Sequence, residues 1–315
     1  MTTFVFRRFL GLIFVLFCVI TLTFFLIRLA PGGPFDRERK IPPQIEKQLL
    51  QKFNLNGSLW EQFSTYLGLR KNGEGKHRGL LQGDLQISTK YRSMSVNALL
   101  AQTLPVTMTL GMAALCLASV GGIWLGCLAA VRRDTAVDTG AMLLALLAIS
   151  VPTFVIGPLL VLIFALKLRW LPVGGWGSWP ALILPALTLA GPFVAYIARL
   201  MRTSMLEVLG QDFVRTARAK GLPRAHVVYK HALKVAILPV VSFLGPLAAN
   251  LLTGSIVVET IFNIPGAGGF FVNSIQNRDG FLLGGVVIVY CALLVLLNLV
   301  VDVLYGWLDP RIKIA

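Results

Sequence analysis

The chain has 315 residues, 56% of them hydrophobic and 14% charged, with a formal net charge of +15. Soluble domains carry about 25% charged residues, so this composition indicates a membrane protein and argues against a soluble enzyme. The basic residues are spread over separate polar segments, whereas nucleic-acid binding needs a coherent basic face, so we expect no nucleic-acid partner.

Six apolar segments are long enough to cross a bilayer, which takes about 20 helical residues. Backbone polar groups in hydrocarbon must be paired within each segment, so all six are predicted to be helices. The fourth starts with a stretch rich in Gly, Trp and Pro, and its helix is expected to begin near Ala181. The segments are 9–27, 93–131, 139–166, 171–198, 235–258 and 280–301.

The first segment is predicted to be a retained anchor, because its 19 apolar residues exceed the usual signal-peptide core of about 7–15. The chain then divides into 1–30 (N-terminus and first span), 31–92 (an external loop with short helices) and 93–315 (spans two to six). Short basic loops fall on one side of a six-span arrangement, which places both termini in the cytoplasm. The loop 31–92 is also basic, but a loop of about 60 residues is nearly exempt from that rule.

The long loop has two local helix signals. Pro42 and Pro43 precede a stripe of Ile45, Leu49 and Phe53, a spacing typical of a helix that starts at a proline. A second short helix is expected around residues 59–63.

Catalytic and metal-binding patterns are missing from the sequence. It contains no GxxxxGKS or GxxxxGKT, no GxSxG and no HExxH, and its four cysteines and three histidines make no ligand spacing. We therefore expect no catalytic residue, no bound metal and no enzyme activity of its own. Acidic residues such as Glu259 lie at the ends of spans, which disfavours a self-powered transporter. A channel, a secondary transporter or a membrane scaffold stay open as alternatives.

The polar segment QDFVRTARAKGL, residues 211–222, lies between the fourth and fifth spans. A helix running on from Leu206 would place Leu206, Leu209, Phe213 and Ala217 on one stripe, and Gly221 would end it. Such a segment is either an ordinary basic loop or a docking element for a cytoplasmic partner, with Phe213 as its apolar anchor.

The segment resembles the EAA loop of ABC importer permeases. The triplet 215–217 takes the place of E-A-A, Gly221 that of the glycine, and residues 231–234 that of I-x-L-P; ARAKGL is the form typical of the peptide-importer branch. The sequence departs from the motif at several positions. Arg215 stands where the motif has glutamate, so no specific role is assigned to it. Further resemblance to the oligopeptide/dipeptide permeases, closest to their B-type subunits, is found at 28–34, 170–172, 183–187, 202–208, 258–262, 277–279 and 309–311.

The resemblance implies an all-α integral membrane protein with six transmembrane helices, the type I ABC importer permease architecture and a long external loop between helices 1 and 2. It implies oligopeptide import across the bacterial inner membrane by alternating access; dipeptides, cell-wall peptides or nickel chelates are the alternative substrates. The implied partners are a second homologous permease, two cytoplasmic ABC ATPases that bind ATP and Mg²⁺, an external peptide-binding protein and the lipid bilayer.

The resemblance also implies which residues act, all within a coupling loop at 201–234. The expected coupling residues are Glu207, Asp212, Phe213, Val214, Arg215, Thr216, Ala217, Lys220, Gly221 and Leu233. Polarity and position alone suggest residues that line the path, namely Thr153, Asn250, Thr253 and Ser255. Proline-containing stretches such as 150–153 are possible flexing points of the spans.

Overall fold

The structure is a computed structural model that describes residues 2–29, 43–53, 55–71, 75–91 and 94–308. The features quoted above at 30–34, Pro42 and 309–311 lie outside these residues. Regular structure in the described part is helical, with one isolated β-bridge between Ile87 and Ser95.

Thirteen helices make up the described part, besides a 3₁₀ turn at Leu80–Gln82, and several of them are short. They are α1 (Thr2–Leu29), α2 (Pro43–Lys52), α3 (Leu59–Leu67), α4 (Val96–Val131), α5 (Ala136–Ser150), α6 (Thr153–Lys167), α7 (Trp179–Leu209), α8 (Asp212–Ala219), α9 (Arg224–Ala236), α10 (Leu238–Leu252), α11 (Ile256–Ile261), α12 (Gly268–Gln276) and α13 (Gly280–Leu308). The stretches Val161–Lys167 of α6 and Val227–Ala232 of α9 are π-helical.

Four helices are individually long and apolar enough to span a membrane: α1, α4, α7 and α13. The pairs α5–α6 and α9–α10 pass the same test together, but they are bent by 111° and 50°. Counting each bent pair as one span gives the six that the sequence predicts, and the prediction of an all-helical membrane protein is confirmed.

The prediction of one continuous helix was wrong for two of the spans. Segment 139–166 is broken at Val151 and Pro152, because proline lacks a donor N–H and disfavours helical geometry in the residue before it. Segment 235–258 is interrupted ahead of Pro239 and again at Gly254, whose φ of +89° is left-handed. The fourth span begins at Trp179, close to the predicted Ala181, and runs on to Leu209.

The first compact unit comprises residues 1–105 and 266–296. Its helix α3 starts with a capping box in which Ser58 and Glu61 satisfy each other's backbone N–H groups. Phe63 of α3 packs against Phe24 of α1, with ring centroids 5.1 Å apart. The buried Asp279 caps the start of α13 by accepting from the Leu282 N–H at 3.1 Å, and it also accepts from the Ser88 hydroxyl.

The second unit comprises residues 106–265 and 297–315, and its main organising helix is α7. This helix buries much of its length against α5, α6 and α9 to α11. Glycines let neighbouring backbones come close: an added Cβ at Gly111 would lie 2.2 Å from the Leu251 carbonyl oxygen, and one at Gly126 would lie 2.5 Å from that of Ala198. Small residues at helix contacts are the usual means of close packing in membranes.

We expect Gly111→Ala to destabilise the protein by about 1–3 kcal/mol, because the added methyl overlaps backbone that cannot move aside. Gly140→Ala is the matched control, since a Cβ there meets nothing within 4 Å. Unfolding by sodium dodecyl sulfate in detergent micelles, followed by tryptophan fluorescence, measures both. Equal midpoints for the two variants would contradict the close approach of α4 and α10.

Candidate functional site

Helix α8 covers the predicted docking segment and begins and ends where its sequence indicates. Asp212 lies in its first turn and Arg218 in its last, each favourable to the helix dipole. Gly221 has a left-handed φ of +77° and is followed two residues later by Pro223, so the helix cannot continue. The predicted glycine stop is confirmed.

The two faces of α8 differ. Val214 and Ala217 are buried in the core of the second unit, whereas Phe213 is 40% exposed beside exposed Arg215 and Thr216. Of the predicted stripe, Leu206, Leu209 and Ala217 pack into one core cluster, but Phe213 does not lie with them. The chain turns at Gly210 and Gln211, so α8 is rotated away from the register that α7 would have imposed.

The other predicted coupling residues divide in the same way. Glu207 is exposed in the last turn of α7, where its carbonyl oxygen accepts from the Gly210 N–H at 3.2 Å. Lys220 and Gly221 are exposed after α8, and Leu233 packs against the core from α9. Val214, Ala217 and Leu233 therefore pack against the core of their own chain. The other seven residues are exposed and form an outward surface.

Charges on that surface are only weakly tied to each other. Arg215 Nη1 lies 3.6 Å from Asp212 Oδ1, and both side chains are well exposed. Exposed pairs of this kind contribute little to stability. Thr216 is held more firmly, since its hydroxyl donates to the Asp212 carbonyl oxygen at 2.9 Å. Arg215 thus keeps its guanidinium available on the outer face.

Sequence reasoning missed the ion pair between Asp138 and Arg202. Arg202 Nε and Nη2 donate to the two Asp138 oxygens at 2.6 and 2.7 Å, and Asp138 is 3% exposed. The Asp134 N–H adds a third bond to the carboxylate, at 3.1 Å. The two residues are 64 positions apart, so no local pattern could have paired them; an acid in the first turn of a membrane helix was the one available signal.

A second hydrogen bond to the segment between α4 and α5 comes from the chain that follows α8. Arg224, in the first turn of α9, donates from Nη2 to the Val131 carbonyl oxygen at 2.9 Å. The segment 131–138, which joins α4 to α5, is therefore bonded to α7, which precedes α8, and to α9, which follows it. We call residues 131–138 the brace.

The residues predicted to line the path are partly committed to helix ends. The Thr253 hydroxyl donates to the carbonyl oxygens of Ala249 and Asn250 at 3.1 and 2.8 Å. Ser255 caps α11 by accepting from the Val258 N–H at 3.4 Å. Asn250 is exposed, and Thr153 opens α6, which packs against α11.

The sequence places Glu259 at the end of a predicted span and gives no reason to expect burial, yet its side chain is buried. Thr107 donates from Oγ1 to Glu259 Oε1 at 2.7 Å, which joins α4 to α11. A Cβ added at Gly254 would lie 2.3 Å from Thr107 Cγ2, so the turn at Gly254 folds Glu259 against α4. Among the described residues, no group of three or more His, Cys, Asp and Glu comes together to hold a metal ion.

Comparison with solved structures defines the fold. A chain of the MetNI methionine ABC transporter, in two crystal forms with inward-facing conformations, matches with a TM-score of 0.56. The match covers 67% of this chain and 97% of that chain in one form, at 16% identity, so it shows the fold alone. The fold is that of a type I ABC importer permease.

The family follows from sequence comparison. Residues 122–314 match the model described as "Binding-protein-dependent transport system inner membrane component", and the chain belongs to that family. The oligopeptide transport system permease proteins OppB of Haemophilus influenzae and of Escherichia coli K12 are each 44% identical over 99% of this chain and 100% of their own. The dipeptide transport system permease protein DppB of Bacillus subtilis is 40% identical over 100% of this chain and 99% of its own.

We predict that Asp138→Asn lowers the free energy of unfolding by about 2 kcal/mol, because it removes charge-assisted hydrogen bonds from the largely buried Arg202. Asp134→Asn is the matched control: its partner Arg133 and Asp134 itself are exposed, so a change near zero is expected. Denaturant titration in detergent micelles measures both. The charge reversal Asp138→Arg with Arg202→Asp should recover part of the loss; no recovery, with equal effects at 134 and 138, would argue against the pair.

Proposed function

We propose that this chain is the membrane-spanning permease subunit of an ABC importer that carries oligopeptides across the bacterial inner membrane by alternating access. The observation that carries the proposal is the full-length 44% identity to permeases named for oligopeptide transport. Relatives named for dipeptide transport match at 40% and 37% identity, so dipeptides are the nearest alternative substrate. A channel or a secondary transporter is not favoured, because whole-length relatives are importer permeases.

Helix α8 acts as the coupling helix. Its outer residues, with Phe213 as the apolar anchor, dock into a cleft on a cytoplasmic ATPase subunit, since aromatic side chains lead among interface hot spots. Val214 and Ala217 hold the helix to its own chain. The brace ties the segments before and after α8 to α4 and α5. A displacement of α8 therefore moves these helices together as a rigid body, as such transitions require.

The complete importer needs further subunits. A second homologous permease would form the path together with this chain, and two ATPase subunits would bind ATP and Mg²⁺ and perform the hydrolysis. An external binding protein would deliver the peptide. This chain would contribute no ATPase site and bind no cofactor.

The orientation follows from the basic loops. Both termini and α8 would lie in the cytoplasm, and residues 31–92 would lie outside. Within the path, Thr153 and Asn250 are the better candidates to face the peptide. Thr253 and Ser255 use their side-chain oxygens on helix ends.

The docking role of α8 predicts that Phe213→Asp weakens assembly with the ATPase subunits by about 2 kcal/mol or more. Peptide uptake by the assembled importer should fall, or ATP hydrolysis should continue without uptake. Leu69→Asp is the matched control, because Leu69 is also exposed but lies far along the chain, beyond α3. Radiolabelled peptide uptake and phosphate release, measured in the same proteoliposomes, separate the two outcomes. Normal coupled uptake in the Phe213 variant would remove α8 from the mechanism.

Orientation is tested with single cysteines in a background in which the four native cysteines are replaced. Intact spheroplasts treated with a membrane-impermeant maleimide should label His77→Cys, in the external loop. Lys220→Cys should react only after permeabilisation. Both positions are exposed in the structure, so access depends on the side of the membrane. Labelling of both in intact cells would contradict the proposed topology.

A further inference from the structure

Arg28, in the last turn of α1, is held between aromatic rings. Its guanidinium carbon lies 5.3 Å from the ring centroid of Phe24 and 5.4 Å from that of Phe281. Contacts with ring faces stabilise a cation but leave its N–H donors unused. Arg28 Nε is buried, and no described residue accepts a hydrogen bond from it. A buried donor without an acceptor is unfavourable, and the described residues offer no acceptor to this one.

Tyr66 of α3 supplies a second donor at the same place. The residue is 6% exposed and its ring centroid lies 5.5 Å from that of Phe24. Burial raises the pKa of the Tyr66 phenol, against the opposing effect of the Arg28 charge, so the hydroxyl stays protonated. Tyr66 and Arg28 border the same small region of the structure, so two donors face it.

A cavity of about 10 Å³ lies between these groups. That volume is about the minimum needed to hold one water-sized atom. Two glycines of α13 border it: a Cβ at Gly284 would lie 2.8 Å from the Tyr66 hydroxyl oxygen, and one at Gly280 would lie 3.7 Å from Arg28 Nη1. The cavity can take one oxygen of a larger group, while the rest of that group stays outside.

The site lies at the end of a membrane span, where phospholipid headgroups are found. Arg28 is one residue before the end of the span Arg7–Leu29, and little of that helix is buried within the chain. Trp60 of α3 is 71% exposed and packs edge-on against Phe25, with centroids 5.7 Å apart. Exposed tryptophan is typical of the membrane–water interface.

We propose that Arg28 and Tyr66 form a binding site for the phosphate group of a membrane phospholipid. One phosphate oxygen enters the cavity and accepts from Arg28 Nε and the Tyr66 hydroxyl, and the acyl chains lie along exposed apolar residues of α1 such as Leu22 and Leu26. Guanidinium–phosphate hydrogen bonds are charge-assisted and among the stronger kinds. A lipid satisfies both the polar cavity and the apolar helix, whereas free phosphate would satisfy only the cavity.

The test is native mass spectrometry of the full-length protein, delipidated in detergent and titrated with dioleoyl phosphatidylglycerol. Dioleoylglycerol, which has the same chains without phosphate, and inorganic phosphate are titrated separately. We expect one phosphatidylglycerol to be retained most tightly, and Arg28→Gln to weaken its binding about tenfold. Arg28→Lys should have an intermediate effect. Arg78→Gln is the matched control, because it removes the same charge from an exposed position in the same unit.

Gly284→Ala keeps both donors and places a methyl group beside the Tyr66 hydroxyl. It should weaken phosphatidylglycerol binding several-fold, and it keeps the test decisive if Arg28→Gln does not fold. Unchanged binding in both the Arg28→Gln and Gly284→Ala variants would overturn the proposal. Equal retention of dioleoylglycerol would do the same, and competition by inorganic phosphate alone would show a free-anion site instead of a lipid site.

Discussion

The packing of the second unit depends on an ion pair between the partly buried Arg202 and the buried Asp138, whose separation would cost free energy. Asp138 and Arg202 share two short hydrogen bonds, and moving them apart would leave the buried Asp138 carboxylate without its partner. The pair therefore behaves as a fixed joint between α5 and α7. Together with the bond from Arg224 to the Val131 carbonyl oxygen, it confines α8 between two anchored segments. A short helix with one buried face gains mechanical stiffness from this arrangement that its own eight residues would not supply.

Much of this fold could be predicted because its signals are local. Hydropathy locates the spans, and the start of α2 at Pro43 and the end of α8 before Gly221 depend on residues within one or two turns. The face that α8 buries could not be predicted in the same way. It depends on the turn at Gly210 and Gln211, and on which neighbouring helices offer contacts to Val214. Phe213 faces outward and Val214 is buried because of this tertiary packing.

Polar residues in the spans show the same division. Thr253 and Ser255 are polar in the sequence, but their oxygens are bonded at the break that follows α10. Glu259 follows the fifth predicted span, yet the left-handed Gly254 turns the chain so that Glu259 meets Thr107, 152 positions earlier. Partners at such separations are set by the assembled bundle. Composition and spacing can suggest that a polar residue lines the translocation path. Whether its side chain is available to contact a peptide depends on the hydrogen bonds that it makes in the folded chain.

The bend between α5 and α6 has a consequence for how the protein is made. Each of these helices has 15 residues, or about 22 Å of length, which is shorter than the roughly 30 Å hydrocarbon core. Neither half can cross the bilayer alone, and a 111° angle keeps them from forming one rod. Both pack against α7, which is synthesised later. Integration of this bent span during biogenesis would therefore be completed only when α7 leaves the ribosome and offers it a surface.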